Sequence, residues 1–349
     1  MLKPYVLISD LHFHAWQAFS SVLPNGMNSR LDGLLMEVYR AADELIKAGG
    51  DTMYVAGDVF HVRGSIAPSV LNPVMDTFKN VIAMGIKVRM ISGNHDLEGN
   101  HSDKLGSAIT ALEGIGVDVC HATKVFADDQ VIMIPWFHTL DDLREEIKTI
   151  ADRSSYELII HAPLNGVITG LPDHGLSSDE ISLWGFKNVF AGHHHNHVNT
   201  AMGIYSIGAL AHHTWSDVNS KAGFVMVDGV NVRWFKSHLP EFIDIQPEMS
   251  EADVELAVEG NFVRAKVIDS KNTTVEAMRE WLTKAGAKGV IIQPMKQATM
   301  ARTGAVTSSI NAGASLEQSV SEYIATQFDP LWASKINLAS QQILSRANV

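Results

Sequence analysis

Short, unbroken apolar runs alternate along this chain with longer segments in which apolar residues recur every three to four positions. The runs Tyr5-Val6-Leu7-Ile8-Ser9, Met53–Ala56, Val88–Ser92, Glu157–Ile160 and Asn188–Ala191 predict strands buried on both faces. Between the first two, Leu31, Leu34, Leu35, Val38, Ala42, Leu45 and Ile46 follow the helical period and stop at Gly49-Gly50. A second helix is predicted over about Val70–Met84, ending at Gly85. This β-α-β-α-β rhythm indicates a layered α/β fold. A helix near Leu105–Leu112, strands at Val117–Cys120 and Gln130–Pro135, and a charged helix over Leu140–Ala151 follow. Residues 164–180, rich in Gly, Pro and Asp, read as a loop running over the ends of the strands. Strands resume at Val189–Ala191, Gly203–Ile207, Ala222–Val227 and Val232–Lys236.

The pattern changes after residue 246. Pro247–Asp253 reads as a boundary. Beyond it, a strand at Asn261–Asp269, a helix opened by a Thr273/Glu276 capping box and a strand at Val290–Gln293 predict a small βαβ module. Residues 297–314 are rich in Ala, Thr, Ser and Gly and read as a linker. Apolar residues at Leu316, Val320, Tyr323 and Ile324, then at Trp332, Ile336, Leu338, Ala339 and Ile343, predict terminal helices. The expected organisation is therefore a large domain over 1–246, a small α/β domain over 253–296, a linker over 297–314 and helices over 315–349.

Composition narrows the class. With 46% hydrophobic residues in 349, the chain can bury a sizeable core. No apolar run approaches the roughly 20 residues of a membrane span, and no signal peptide is read, so no membrane association is expected. A single cysteine, Cys120, excludes an internal disulfide and fits a reducing cytoplasm, of a host cell if the gene is viral. Ten acids balance ten bases after residue 250, so the whole net charge of −12 lies before it, as do all 16 histidines. Such a chain is a poor freestanding DNA binder, because phosphate affinity comes from Lys and Arg. If DNA is the substrate, cations, a local basic strip or a partner must supply the attraction.

Candidate chemistry sits at the strand ends. Asp10-Leu11-His12, Gly57-Asp58-Val59-Phe60-His61, Gly93-Asn94-His95-Asp96, His161 and Gly192-His193-His194-His195 each follow one of the five runs. Side chains leaving strand C-termini can meet along one sheet edge. Carboxylate, imidazole and amide together suit a pair of divalent cations rather than one structural zinc. Asp58, ending a central strand, is the candidate bridge. Asp10 and His12 alternate along a strand exit and can face one cation, and His193 and His195 repeat that spacing. Asn94 offers a neutral oxygen. His95 is left for a second role as proton donor to a leaving oxygen, with Asp96 placed to orient its ring.

In this order, D-x-H, G-D, G-N-H-[DE], a lone H and G-H-x-H, the motifs resemble those of the calcineurin-like metallophosphoesterases, over about residues 1–235. Gly57–His61 followed by Pro68-Ser69, together with Ile204–Gly208 and Lys221–Phe224, is similar to the DNA-repair nuclease branch, the SbcD-type subunits of SbcCD-type complexes. Ala209-Leu210 and His212-His213 depart from that branch's usual loop. The resemblance implies a four-layer αββα sandwich with a small C-terminal α/β capping domain and terminal helices. It places Asp10, His12, Asp58 and His195 on one cation, and Asp58, Asn94, His161 and His193 on the other. It makes His95 the acid near the leaving group, and His61 a phosphate-positioning group. It further implies Mn²⁺, DNA as substrate in repair and recombination, a homodimer, and an SMC-like coiled-coil ATPase partner docked on residues 315–349.

The expected function is thus a Mn-dependent DNA exonuclease or endonuclease subunit working by a two-metal mechanism. Two rivals share the fold: a stand-alone phosphodiesterase or phosphatase for a small molecule, and a non-catalytic scaffold. Phe60-His61 and the long extension speak against the first, the intact donor set against the second. Of the other histidines, His14, His101, His121, His138, His174 and His238 read as solvated or structural. His194 and His197 read as supports for the ligands, and His212 and His213 as neighbours of the site.

Overall fold

A computed structural model describes residues 2–99, 106–170, 172–246, 248–267 and 272–294, with 320–321, 324 and 330–347. His101 and the 297–314 linker lie outside the described residues. The chain falls into two compact units, Met1–Met295 and Lys296–Val349.

The first unit opens with β1 (Tyr5–Ile8), α1 (Ser29–Lys47), β2 (Thr52–Val55), α2 (Pro68–Ala83), β3 (Lys87–Ile91) and β4 (Asp118–Cys120). It continues with β5 (Lys124–Phe126), β6 (Val131–Ile134), α3 (Leu140–Thr149), β7 (Glu157–His161), α4 (Ser178–Trp184), β8 (Val189–Gly192), β9 (Val198–Ala201) and β10 (Ile204–Ser206). β11 (Gly223–Asp228) and β12 (Asn231–Lys236) then return to the first sheet. Two six-stranded sheets result, in the orders β12-β11-β1-β2-β3-β4 and β5-β6-β7-β8-β10-β9.

The period-two alternation of a strand explains the layering. Val6 and Ile8 of β1 pack with α1 and α2 against Leu34, Val38, Val74 and Phe78, while Tyr5 and Leu7 face the second sheet. In that sheet Ile132, Ile134, Leu158 and Ile160 face α3 and α4, and Val131, Met133 and Ile159 meet the first sheet. The central strands are covered on both faces, so they read as apolar runs. Each buried Leu, Ile or Phe contributes about 1.5–3 kcal/mol. One polar cluster caught between the sheets is partnered: the Tyr5 hydroxyl donates to Glu157, which also accepts from Asn188 Nδ2 at 2.7 Å. This is the αββα sandwich.

The first unit closes with β13 (Phe242–Asp244), α5 (Glu251–Val258), β14 (Phe262–Val267), α6 (Asn272–Lys284) and β15 (Gly289–Pro294). The three strands form a parallel sheet whose core is Val254, Val258, Val263, Ala265 and Leu282. β13 lies upstream of residue 246, so the small sheet takes in residues assigned by pattern to the large domain. α6 already contains Thr273, so that residue is not the cap of a helix starting after it. The segment expected as a helix near 105–112 is a 3-10 stretch over Ala108–Ile115.

Phe19 ties the small module to the sandwich. Its ring stacks on Phe262 at 4.8 Å, and its backbone is left-handed at φ 58°. Gly289, at the start of β15, leaves the space that the Phe19 ring fills. In the second unit, α7 (Pro330–Ala347) exposes Trp332 and Leu338. Among the described residues, no helix is long and apolar enough to cross a membrane.

Candidate metal centre

The five motifs meet at the C-terminal ends of β1, β2, β3, β7 and β8. Except at His161, the last residue of β7, they do so on bent backbone rather than extended strand. Asp10, His12, Asp58 and His193 have φ of 51°, 43°, 52° and 105°. The strand alternation expected for Asp10 and His12 is therefore not how they converge: each sits past β1 in the left-handed region. Such conformations cost of the order of 1–3 kcal/mol each and persist where neighbours enforce them. Here main-chain bonds do so, His12 N–H to the Asp58 carbonyl at 2.9 Å and Phe13 N–H to that of Val59 at 2.8 Å. The His193 N–H donates to Asp10 Oδ2 at 3.0 Å. Glycine is required at 57 and 93, where a Cβ would press on His161 and on Asp58 respectively.

Three donor groups form among the described residues; one of them, His12, His61 and His95, shares His12 with the first of the other two. Asp10, His12 and His195 bring ligand atoms within 4.8 Å of one another, and so do Asp58, His161 and His193. Asp58 links these two, with Oδ2 3.5 Å from both His12 Nε2 and His161 Nε2. Asn94 Oδ1 lies 3.0 Å from His193 Nδ1 and 3.3 Å from His161 Nε2. His12 Nε2 and His195 Nε2 approach to 3.1 Å. Nitrogens that close need a proton or a cation between their lone pairs. Asp10, His12, Asp58 and His161 are all at most 3% exposed, so water is a minor partner. The donor set of two carboxylates, four imidazoles and one amide oxygen fits two divalent cations sharing Asp58.

Electrostatics divide the imidazoles. Burial opposes the charged form of His161, but the Asp58 carboxylate in contact outweighs it and pushes the pKa up to about 9. Burial likewise opposes a charged His195, and Asp217 beside it raises it to about 8. Burial and the neighbouring His161 hold His193 down to about 3. Burial disfavours the Asp58 carboxylate, yet His161 and His12 keep it far below the usual carboxylate range.

Supporting contacts complete the centre. Asp217 Oδ1 accepts from His195 Nδ1 at 2.7 Å, and Oδ2 accepts from the main-chain N–H groups of His213 and Thr214. Ser9 Oγ donates to Asp10 Oδ2 at 2.6 Å. His213 Nε2 donates to the Asp10 carbonyl at 2.8 Å, and His161 Nδ1 to that of Ala56 at 2.7 Å. Trp136 stacks on His193 at 5.3 Å. His95 and His61 lie on the His12 side, with ring centroids 4.7 and 5.3 Å from it.

One expected role is corrected. Asp96 does not orient the His95 ring. Its carboxylate accepts the main-chain N–H groups of Val59, Phe60 and Gly93 at 2.9–3.0 Å, stitching two motif loops together. Burial and Asp58 push its pKa up to about 7 against those donors. His95 is held instead by Nδ1 donating to the His61 carbonyl at 2.8 Å, and its N–H donates to Asp58 Oδ1.

Ser9, Trp136 and Asp217 escaped the sequence reading. Thr214 and Asp217 form a capping box around a short 3-10 turn, a pattern visible in the sequence, but nothing there pairs Asp217 with His195. His212 links the site to the small module, its Nδ1 accepting the Phe242 N–H at 3.0 Å. His194 is buried, and His197 stacks on Trp234. His14 packs its ring against His61 and Trp16.

A model for calcineurin-like phosphoesterases matches residues 3–237 of the chain. Exonuclease subunit 1 of Enterobacteria phage T4 is 28% identical over 204 residues, 56% of this chain and 58% of that protein, so the match leaves over a third of the relative uncovered. Among solved structures, the Thermus thermophilus protein TT1561 shares 9% identity at a TM-score of 0.42, over 68% of this chain and 99% of its own. The nuclease MPE of Pseudomonas putida shares 16% identity at a TM-score of 0.31, over 60% of this chain and 76% of its own.

Proposed function

The chain belongs to the calcineurin-like phosphoesterase family, and from that premise we propose that it is the nuclease subunit of an SbcCD-type complex, hydrolysing DNA phosphodiester bonds with two divalent cations, most naturally Mn²⁺. The observation that carries this reading is Asp58, poised at equal distance between His12 and His161, with a donor group on either side. The T4 relative, itself named an exonuclease subunit, supports a DNA substrate and a partner. On this reading the chain works in the cytoplasm as a homodimer with an SMC-like coiled-coil ATPase, docked through the second unit.

In this reading Asp10, His12, Asp58 and His195 would hold one cation, and Asp58, Asn94, His161 and His193 the other. Bound there, such cations would supply Lewis acidity for the phosphodiester and for an attacking water. The residues of the chain do the rest. His161 and His195 must give up their protons when the ligands engage. The Asp58 carboxylate is held ionised by its histidine neighbours. His95 has its Nδ1 hydrogen committed to the His61 carbonyl, which leaves Nε2 to pass a proton to the leaving oxygen. His61, stacked 5.5 Å from His95, is placed to contact the phosphate.

The test is hydrolysis by the purified full chain of single-stranded DNA, duplex DNA and bis-p-nitrophenyl phosphate, with Mn²⁺ or Mg²⁺. Cleavage of DNA with Mn²⁺, lost in His95→Ala while metal content is retained, is the expected result. Activity on the small ester alone would overturn the nuclease reading.

A further inference from the structure

A groove of about 610 Å³ runs beside the His193–His195 turn. We propose that it seats a nucleoside, the one attached to the scissile phosphate; this rests on the phosphoesterase reading of the centre. One wall is Val167, Ile168 and Thr169, from the loop after β7; the other is the 216–220 segment. The floor includes His193 and His195, which belong to the two donor groups that Asp58 links, so the groove opens directly onto them. Its volume lies within the roughly 300–1,000 Å³ of small-molecule sites.

The chemistry of the lining selects the ligand. It contains no Lys or Arg, and its single carboxylate, Asp217, is 2% exposed and already engaged by His195, His213 and Thr214. The imidazoles that can carry charge, His193 and His195, belong to the donor groups on the floor, so a phosphate is met at the neighbouring centre instead. The groove itself offers neutral groups. Ile168 is 42% exposed, an apolar surface for a flat ring. The side chains of Thr169, Asn219 and Ser220 make no hydrogen bond to other described residues and are free to meet polar edges. Asn219 holds a left-handed backbone at φ 66°, which Asn tolerates better than most residues. An apolar face with hydroxyl and amide groups around it complements an uncharged base and its sugar. It complements neither a second phosphate nor a plain alkyl group.

Two esters with the same leaving group test this: thymidine 5′-p-nitrophenyl phosphate and bis-p-nitrophenyl phosphate, with the full chain in Mn²⁺. The double variant Ile168→Ser with Asn219→Ala should raise KM for the thymidine ester about tenfold relative to KM for the other ester, with the ratio of kcat values held. Thr169→Ala should move the same ratio in the same direction by less. Equal changes for both esters, or none, overturn the groove assignment and leave the phosphoesterase reading standing. No hydrolysis of either ester by the unaltered chain overturns both.

Discussion

The two halves of the histidine pocket are held in place by different means. Around Asp10, His12 and His195 the supports are largely side chains: Ser9 on Asp10, Asp217 on His195, and His213 reaching the Asp10 carbonyl. Around Asp58, His161 and His193 they are main chain and packing. His161 leans on the Ala56 carbonyl, His193 lies under Trp136, and glycines at 57 and 93 let the loops close. A ligand oriented by a side chain depends on that side chain's ionisation and identity. A ligand oriented by main chain is changed only by moving the fold. The first half should therefore be the tunable one, and the second the more robust.

The largest effect is expected where the halves join. Asp58→Asn should lower phosphodiester hydrolysis at least about a thousandfold, or about 4 kcal/mol, and reduce bound metal at both positions by elemental analysis. Two tightly held ions in that variant would remove the basis for a shared ligand. Asp217→Asn should weaken one cation about 10–100-fold and spare the other, visible as two separated steps in a Mn²⁺ titration. If both steps weaken alike, the halves are not supported independently.

Protonation sharpens the contrast. In the cation-free chain His161 and His195, at about 9 and about 8, carry protons at pH 7, whereas His193, at about 3, does not. Cation loading must displace those protons, so affinity should rise with pH through 8 and 9 and flatten above. Calorimetry at pH 7 in buffers of different ionisation enthalpy reads the protons released, and Asp217→Asn should release fewer because His195 loses its partner. A release equal to that of the unaltered chain would contradict the role given to Asp217. The smallest effect belongs to Trp136→Leu, which removes a stack worth about 0.5–1.5 kcal/mol. It should lower the melting temperature slightly and leave Mn²⁺ stoichiometry unchanged; loss of an ion would show that packing positions His193 more strongly than its Asn94 contact does.

Much of the fold was legible because its central strands are covered on both faces. β1, β2, β7 and β8 read as apolar runs, β3 as one interrupted by Arg89, and α1 and α2 as clear helical stripes. β5, β9 and β13 are three or four residues each, and the side chains of β5 and β9 are all at least partly exposed, so they carry no run to detect. α5 is acidic along much of its length and buries only Val254 and Val258. At the site, the motif residues stood out as a set. Asp96 was misread because a carboxylate next to a histidine in sequence suggests a partner, while the left-turning loops point it at three main-chain N–H groups. Asp217 and Trp136 were missed because each meets its histidine only in space.

The sequence by itself determined which segments become strands, and which metal-binding side chains leave their ends. Those are local properties, set by hydrophobic period and by residue chemistry. Only the tertiary structure decided who stands next to whom. His12 and His195 lie 183 residues apart and approach to 3.1 Å, because β1 and β8 come from different sheets whose inner faces share one core. Strand order, left-handed turns at Asp10 and Asp58, and the partners of each imidazole follow from long-range packing, which no local pattern encodes.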